Sequence, residues 1–150
     1  MNRISSIFHK INPTTRQNLG SLRNFCAAQS TIFDKIISRE IPAEIVYEDS
    51  KILAFRDIMP QAPVHILIIP KQKDGLSGLS QATPKNAEIL GHMMVKCASI
   101  AGQLGLQDGF RIVINDGKQG CQSVDHIHIH LLGGAQLTWP PGSPGTLGKP

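Results

Sequence analysis

The sequence predicts one α+β domain built on an antiparallel sheet, and three observations predict it. Five short apolar stretches, residues 45–47, 52–55, 64–70, 110–115 and 126–132, read as strands at hairpin-length spacing. One long stretch, from Thr83 to Leu104, repeats its apolar residues at helical spacing, and a short one, residues 31–37, does the same. With 150 residues, 41% of them hydrophobic, the chain has enough apolar material for one proper core.

The first 30 residues stand apart. They hold four of the 15 Lys and Arg residues (Arg3, Lys10, Arg16 and Arg23) and none of the 11 acids. Ile4, Ile7, Phe8 and Ile11 fall at i, i+3, i+4 and i+7, one face of a helix that Pro13 would end. An acid-free, Arg-containing, amphipathic leader rich in Ser, Asn and Thr has the pattern of an organelle transit peptide. The expected location is the mitochondrion, with the chloroplast or the cytoplasm as alternatives. The apolar core of a secretory signal is missing, so secretion is not expected. From residue 31 the charges balance, so the net +4 belongs to the leader. No nucleic-acid-binding surface is inferred from it. No apolar run approaches the roughly 20 residues of a membrane helix. Cys26, Cys97 and Cys121 form neither a CxxC pair nor an even framework, which points to reduced thiols in an intracellular protein.

Each element has its own signals. Residues 32, 33, 36 and 37 give the short helix an apolar face, with Ser30 or Thr31 as cap and Pro42 as stop. The first two strands turn at Asp49-Ser50, and Pro60 and Pro63 mark the loop that holds Asp57. The third strand is strongly apolar and carries His65. Thr83 offers an N-cap with Pro84 in the favoured first position. Leu90, Met93, Met94, Cys97, Ala101 and Leu104 line the long helix, with both Met residues read as core and Gly105 as the stop. Residues 143–150, rich in Gly and Pro, read as a disordered tail. There is no internal repeat.

The last strand carries the chemistry. His126, His128 and His130 alternate with Ile127, Ile129 and Leu131. Residues i, i+2 and i+4 of a strand share a face, so three imidazoles form a row and the aliphatic residues face a core. Each ring has two nitrogens that must be paired or wet. A solvated polar face is the plain reading, and two chemical readings stand beside it. One is a zinc site: His-x-His presents two ligands and His65 supplies a third, although no Cys or acid stands at ligand spacing. The other is nucleophilic catalysis. His128 has a ring on each side, neutral imidazole attacks phosphorus, and flanking rings supply protons near neutral pH. Residues 117–123 form a loop entering the row, and its backbone N–H groups, Gly120 and the Ser123 hydroxyl can bind phosphate oxygens or protonate a leaving group.

His-φ-His-φ-His-φ-φ, with φ apolar, is the signature of the histidine-triad (HIT) superfamily, which this chain resembles. Thr31-Ile32-Phe33, Ile41-Pro42-Ala43, Asp57-Ile58, Pro60-Gln61-Ala62-Pro63, Ile69-Pro70-Lys71 and Trp139-Pro140-Pro141-Gly142 resemble its nucleotide-binding branch, the purine nucleoside phosphoramidases. The resemblance covers residues 31–142 and sets the expected HIT domain between the leader, 1–30, and the tail, 143–150. It implies a homodimer whose two five-stranded sheets join into one. It also implies hydrolysis of adenosine 5′-phosphoramidates, AMP joined to an amine or to lysine, through a nucleotidyl-histidine intermediate. Carried over by position, His128 is the nucleophile and His65 and His126 form a hydrogen-bonded relay behind it. His130 and Ser123 contact the phosphate and assist the leaving group, with Asn115 nearby. Asp57 binds the ribose hydroxyls. Phe33, Ile36, Phe55, Ile58 and Leu67 wall the purine pocket, and Trp139 reaches towards the other subunit's site.

That mechanism requires no cofactor; zinc is compatible with the residues but not expected for catalysis. The implied partners are a purine nucleotide and a second copy of the chain, with neither nucleic acid nor membrane. Two departures stand out: Cys121 where the family more often has glycine, and Leu137-Thr138 before the tryptophan. Rival readings are hydrolysis of adenylyl sulfate, hydrolysis of dinucleoside polyphosphates, and a non-enzymatic zinc-binding or regulatory protein. The Trp139-Pro-Pro-Gly ending after Gly133-Gly134 argues against the dinucleoside polyphosphate reading.

Overall fold

Thr31 opens the first helix, α1 (Ile32–Ile37), in a computed structural model that describes residues 30–139 and 141. The leader helix and the tail from residue 143 lie outside the described residues. The Thr31 hydroxyl accepts from the Asp34 backbone N–H at 3.2 Å, and Asp34 Oδ2 accepts from the Thr31 N–H at 2.7 Å, which closes a capping box. Of the four apolar residues on this helix only Phe33 and Ile36 are buried. Ile32 is exposed and Ile37 only partly buried, because a six-residue helix has too few turns to cover a full face.

Strands β1 (Ile45–Glu48), β2 (Ile52–Arg56) and β3 (Val64–Pro70) form a meander. β4 (Phe110–Val113) and β5 (Ile129–Gly133) complete a five-stranded antiparallel sheet in the order β1-β2-β3-β5-β4. The 17-residue helix α2 (Ala87–Gln103) lies between β3 and β4 in sequence and covers one face of the sheet. Its Met93, Cys97, Ile100 and Ala101 pack on Ile52, Ala54, Ile66, Ile68, Ile129 and Leu131. Burying each such Ile contributes about 2–3 kcal/mol. On the other face Phe33 and Ile36 of α1 pack with Leu53, Phe55, Leu67 and Ile69. β2 and β3 are thus covered on both sides, which is why they read as unbroken apolar runs and not as alternation.

The structure corrects three boundaries and one core assignment. Pro84–Asn86 form a separate 3₁₀ turn with a capping box between Thr83 and Asn86, so α2 begins later than Thr83 implies. β4 stops at Val113. β5 starts only at Ile129, leaving His126 and His128 on the segment that leads into it. The register pairs Ile68 with Ile129, which would set residue 127 opposite Pro70. Proline has no N–H to give the ladder, so the pairing ends there. The Ile127 N–H donates instead to the Leu76 carbonyl at 3.0 Å. Met93 is core as expected, but Met94 is 46% exposed, because Met93, Cys97 and Ile100 already occupy the inward face. No helix among the described residues is long and apolar enough to cross a membrane.

Candidate active site

The four histidines meet on the sheet face opposite α2. The register pairs Leu67 with His130 and His65 with Leu132, so His65 and His130 are diagonal neighbours on one face. Their rings lie 5.1 Å apart, with His65 Nε2 2.8 Å from His130 Nδ1. Backbone partners decide the tautomers, because an N–H can only donate and a carbonyl can only accept. The Gln61 N–H donates to His65 Nδ1 at 3.1 Å, which leaves the proton on Nε2. That proton is given to His130 Nδ1, so His130 carries its own on Nε2, where the Asn115 amide, whose nitrogen lies 3.5 Å away, has to turn its oxygen to accept it. His128 Nδ1 donates to the His126 carbonyl at 2.8 Å, which leaves His128 Nε2 as a bare lone pair. The His128 and His130 ring centres are 5.0 Å apart, so the ring with the bare nitrogen neighbours a ring that carries an N–H donor.

Burial disfavours the charged form of three of the rings. Burial pushes His130 down to about 4, helped by the neighbouring His128 and His65. Burial also pulls His65 below the ordinary histidine value, with Asp57 opposing. His126 is lowered by burial too, with its bond to the Pro70 carbonyl and Asp34 opposing.

Asp57 follows β2. Its Oδ1 accepts from the Met59 N–H at 2.8 Å and its Oδ2 lies 3.4 Å from His65 Nε2. Asp57, His65 and His130 are close enough to suggest a metal site that sequence spacing does not reveal: their donor atoms all lie within 4.8 Å. Their protons argue against it. The Gln61 N–H holds the His65 lone pair on Nδ1, so Nε2 points its hydrogen, not a lone pair, at the place an ion would occupy. The residues present do not fit zinc.

The remaining expected residues divide into two groups. Phe33, Ile36, Phe55 and Leu67 come together in one buried cluster. Phe33 meets Phe55, His126 and His128 edge-on at 5.8, 5.7 and 5.2 Å between ring centres. Ile58, 89% exposed, and Trp139, 84% exposed, stand outside that cluster in the single chain. Ser123 is exposed at the end of the 117–123 loop, and among the described residues no hydrogen bond ties it to a histidine.

The implied relay needs correction. His65 pairs with His130, not with His126, because the β3–β5 register places His65 beside His130. His126 lies beyond the ladder, where its Nε2 donates to the Pro70 carbonyl at 2.8 Å. Sequence reading also missed Asp34, whose Oδ1 lies 3.5 Å from His126 Nδ1. The Thr31-x-x-Asp34 capping spacing is the one signal that marks Asp34 as fixed in place. The Cys121 departure has a physical side: its φ is +61°, a left-handed conformation that costs a non-glycine residue about 1–2 kcal/mol.

Comparisons with known proteins agree with this fold. Residues 38–137 match the HIT domain. Over 112 residues the chain is 65% identical to a Zea mays protein named 14 kDa zinc-binding protein, covering 75% of this chain and 88% of that one. Over 112 residues it is 64% identical to an Arabidopsis thaliana protein named adenylylsulfatase HINT1, covering 75% and 76%. A solved HIT family hydrolase from Legionella pneumophila superposes with a TM-score of 0.71 at 47% identity, over 74% of this chain and 98% of that one. With the five-stranded antiparallel sheet and its clustered histidines, these likenesses show that the chain belongs to the HIT domain family.

Proposed function

We propose that the chain hydrolyses adenosine 5′-phosphoramidates by attack of His128 on the α-phosphorus. The observation that carries this reading is the 2.8 Å bond from His128 Nδ1 to the His126 carbonyl, which leaves Nε2 unprotonated and free to attack. The His128 Nε2–phosphorus bond forms as the phosphorus–nitrogen bond breaks. The departing amine takes a proton from His130 Nε2–H or from the Ser123 hydroxyl. Water then attacks the nucleotidyl-histidine as the His128 Nε2–phosphorus bond breaks, and its proton returns to the group that protonated the amine, freeing AMP and restoring His128. Phe33, Ile36, Phe55 and Leu67 form the apolar wall beside the rings, with Ile58 and Trp139 closing over the purine in a dimer and Asn115 beside the phosphate. Asp57 binds the ribose hydroxyls, each of which can donate to a carboxylate oxygen.

A second substrate is favoured by the name of the Arabidopsis relative, adenylylsulfatase. Adenylyl sulfate would suffer the same attack, but sulfate leaves as an anion and needs no proton. The test is a panel of adenosine phosphoramidates and adenylyl sulfate, assayed on wild type and Asp57→Asn. We expect turnover of the phosphoramidates, and for Asp57→Asn a larger loss of affinity for AMP than for 2′,3′-dideoxy-AMP. Turnover of adenylyl sulfate alone would transfer the assignment to that substrate. Equal losses for the two ligands would remove Asp57 from the ribose.

Two further parts of the reading concern assembly and address. β4 leaves one edge of the sheet without a partner strand among the described residues, and Phe110 on it is exposed, which supports a homodimer continuing the sheet there. The acid-free leader supports import into the mitochondrion. A fluorescent fusion of residues 1–30 reads that address, and diffuse cytosolic signal would leave the segment a plain tail.

A further inference from the structure

His126 is fully buried, and its ring is held at one nitrogen only. Nε2 donates to the Pro70 carbonyl. Nδ1 is the one buried side-chain nitrogen or oxygen among the described residues without a hydrogen-bond partner. It does have a neighbour, Asp34 Oδ1, at 3.5 Å. In the neutral ring that pairing sets a lone pair against a carboxylate oxygen. With a second proton on the ring it becomes an N–H aimed at an acceptor.

The carboxylate is not free to turn away. Its other oxygen accepts from the Thr31 N–H at 2.7 Å and the Thr31 hydroxyl at 2.9 Å, and Lys73 Nζ lies 3.5 Å from it. Neither ring of the His65–His130 pair offers a comparable place for a second proton, and no carboxylate is paired with the free nitrogen of His128 among the described residues. His65 Nδ1 already accepts from the Gln61 N–H, and His130 Nδ1 already accepts from His65, so protonating either would set two N–H groups against each other.

We infer that Asp34 is the proton partner of His126: it receives the Nδ1–H of the protonated ring and sets the pH at which that ring becomes charged. The ring stands directly behind His128, since the His126 carbonyl fixes the His128 proton. Asp34 is therefore a positioning residue that acts through another side chain, not a catalytic one. The groups facing His126 are Asp34 from α1, Lys73 from the segment after β3, and His128 from its own segment. Asp34 favours the charged ring. Lys73 and His128 oppose it, as burial does. The catalytic meaning of the pair rests on the reading of His128 as nucleophile, but the titration does not, because it is read on the free protein.

The test follows the His126 imidazole nitrogens by NMR against pH in the full chain, with the signal assigned by its absence in His126→Gln. Asp34→Asn, whose amide keeps an oxygen for the Thr31 cap, should move the His126 midpoint to lower pH. Lys73→Met, which removes an opposing cation, should move it to higher pH. Opposite shifts support the inference. An unmoved midpoint in Asp34→Asn, or shifts in the same direction for both variants, would overturn it, the second by showing a general disturbance of the α1 contact.

Discussion

His128→Ala is expected to slow turnover of an adenosine phosphoramidate by at least about 10⁴-fold while AMP still binds. The size of the effect follows from the geometry. Two nitrogens of the clustered histidines are unprotonated and without a protein hydrogen-bond partner in the described structure, His128 Nε2 and His126 Nδ1, and the second is a fully buried atom set against Asp34, out of reach of a substrate. Without His128 Nε2 no covalent intermediate forms, and water must attack the phosphorus unaided. Binding should survive because Phe33, Phe55 and Leu67 are untouched. The truncation leaves one acceptor, the His126 carbonyl, unpaired in a buried place, at a cost of about 1–3 kcal/mol to the fold. His128→Asn separates the two effects, since its amide can still donate to that carbonyl. If single-turnover rates of both variants stay within tenfold of wild type, His128 is not the nucleophile.

Much of this site was legible in the chain, and the limits are physical. Alternation of His with Ile and Leu was enough to sort faces: Ile129 and Leu131 enter the α2 core while His128 and His130 take the opposite side. Periodicity also placed α2, although the exposed Met94 shows that an apolar residue near a stripe need not belong to it. What alternation does not contain is register. Whether His65 stands beside His126 or His130 depends on which residues of β3 and β5 pair, and that was settled by packing across the whole sheet. Backbone partners were equally hidden. The Gln61 N–H, the His126 carbonyl and the Pro70 carbonyl decide every tautomer in the cluster, and they leave no mark on side-chain pattern. Asp34 carried a capping spacing to Thr31 that the sequence reading did not use, and nothing in the sequence marks it as a neighbour of His126, 92 positions along the chain, since that contact exists only once α1 lies across the sheet.

The loop before the histidines is where a single methyl group should have the next largest effect. A Cβ at Gly120 would lie 2.3 Å from the Asp116 carbonyl oxygen and 2.9 Å from the Asp116 nitrogen. Both are backbone atoms, so no rotamer change relieves the clash and the turn itself must open. It is pinned at several points. The Gln122 amide oxygen accepts from the Gly117 N–H at 2.8 Å, its nitrogen donates to the Val124 carbonyl at 2.8 Å, and Asp116 Oδ1 accepts from the Ser80 N–H at 3.1 Å. Opening the turn therefore displaces Ser123 and the entry to His126. A displacement near 1 Å costs on the order of 10² in rate when geometry carries the chemistry. We expect Gly120→Ala to lower kcat by about that factor with the histidine tautomers, read by NMR, unchanged. Gly117→Ala is the control: nothing lies within 4 Å of its Cβ, and only its φ of +65° is strained, at about 1–2 kcal/mol. A Gly120→Ala protein as active as wild type would show that the loop's shape is not part of the catalytic arrangement.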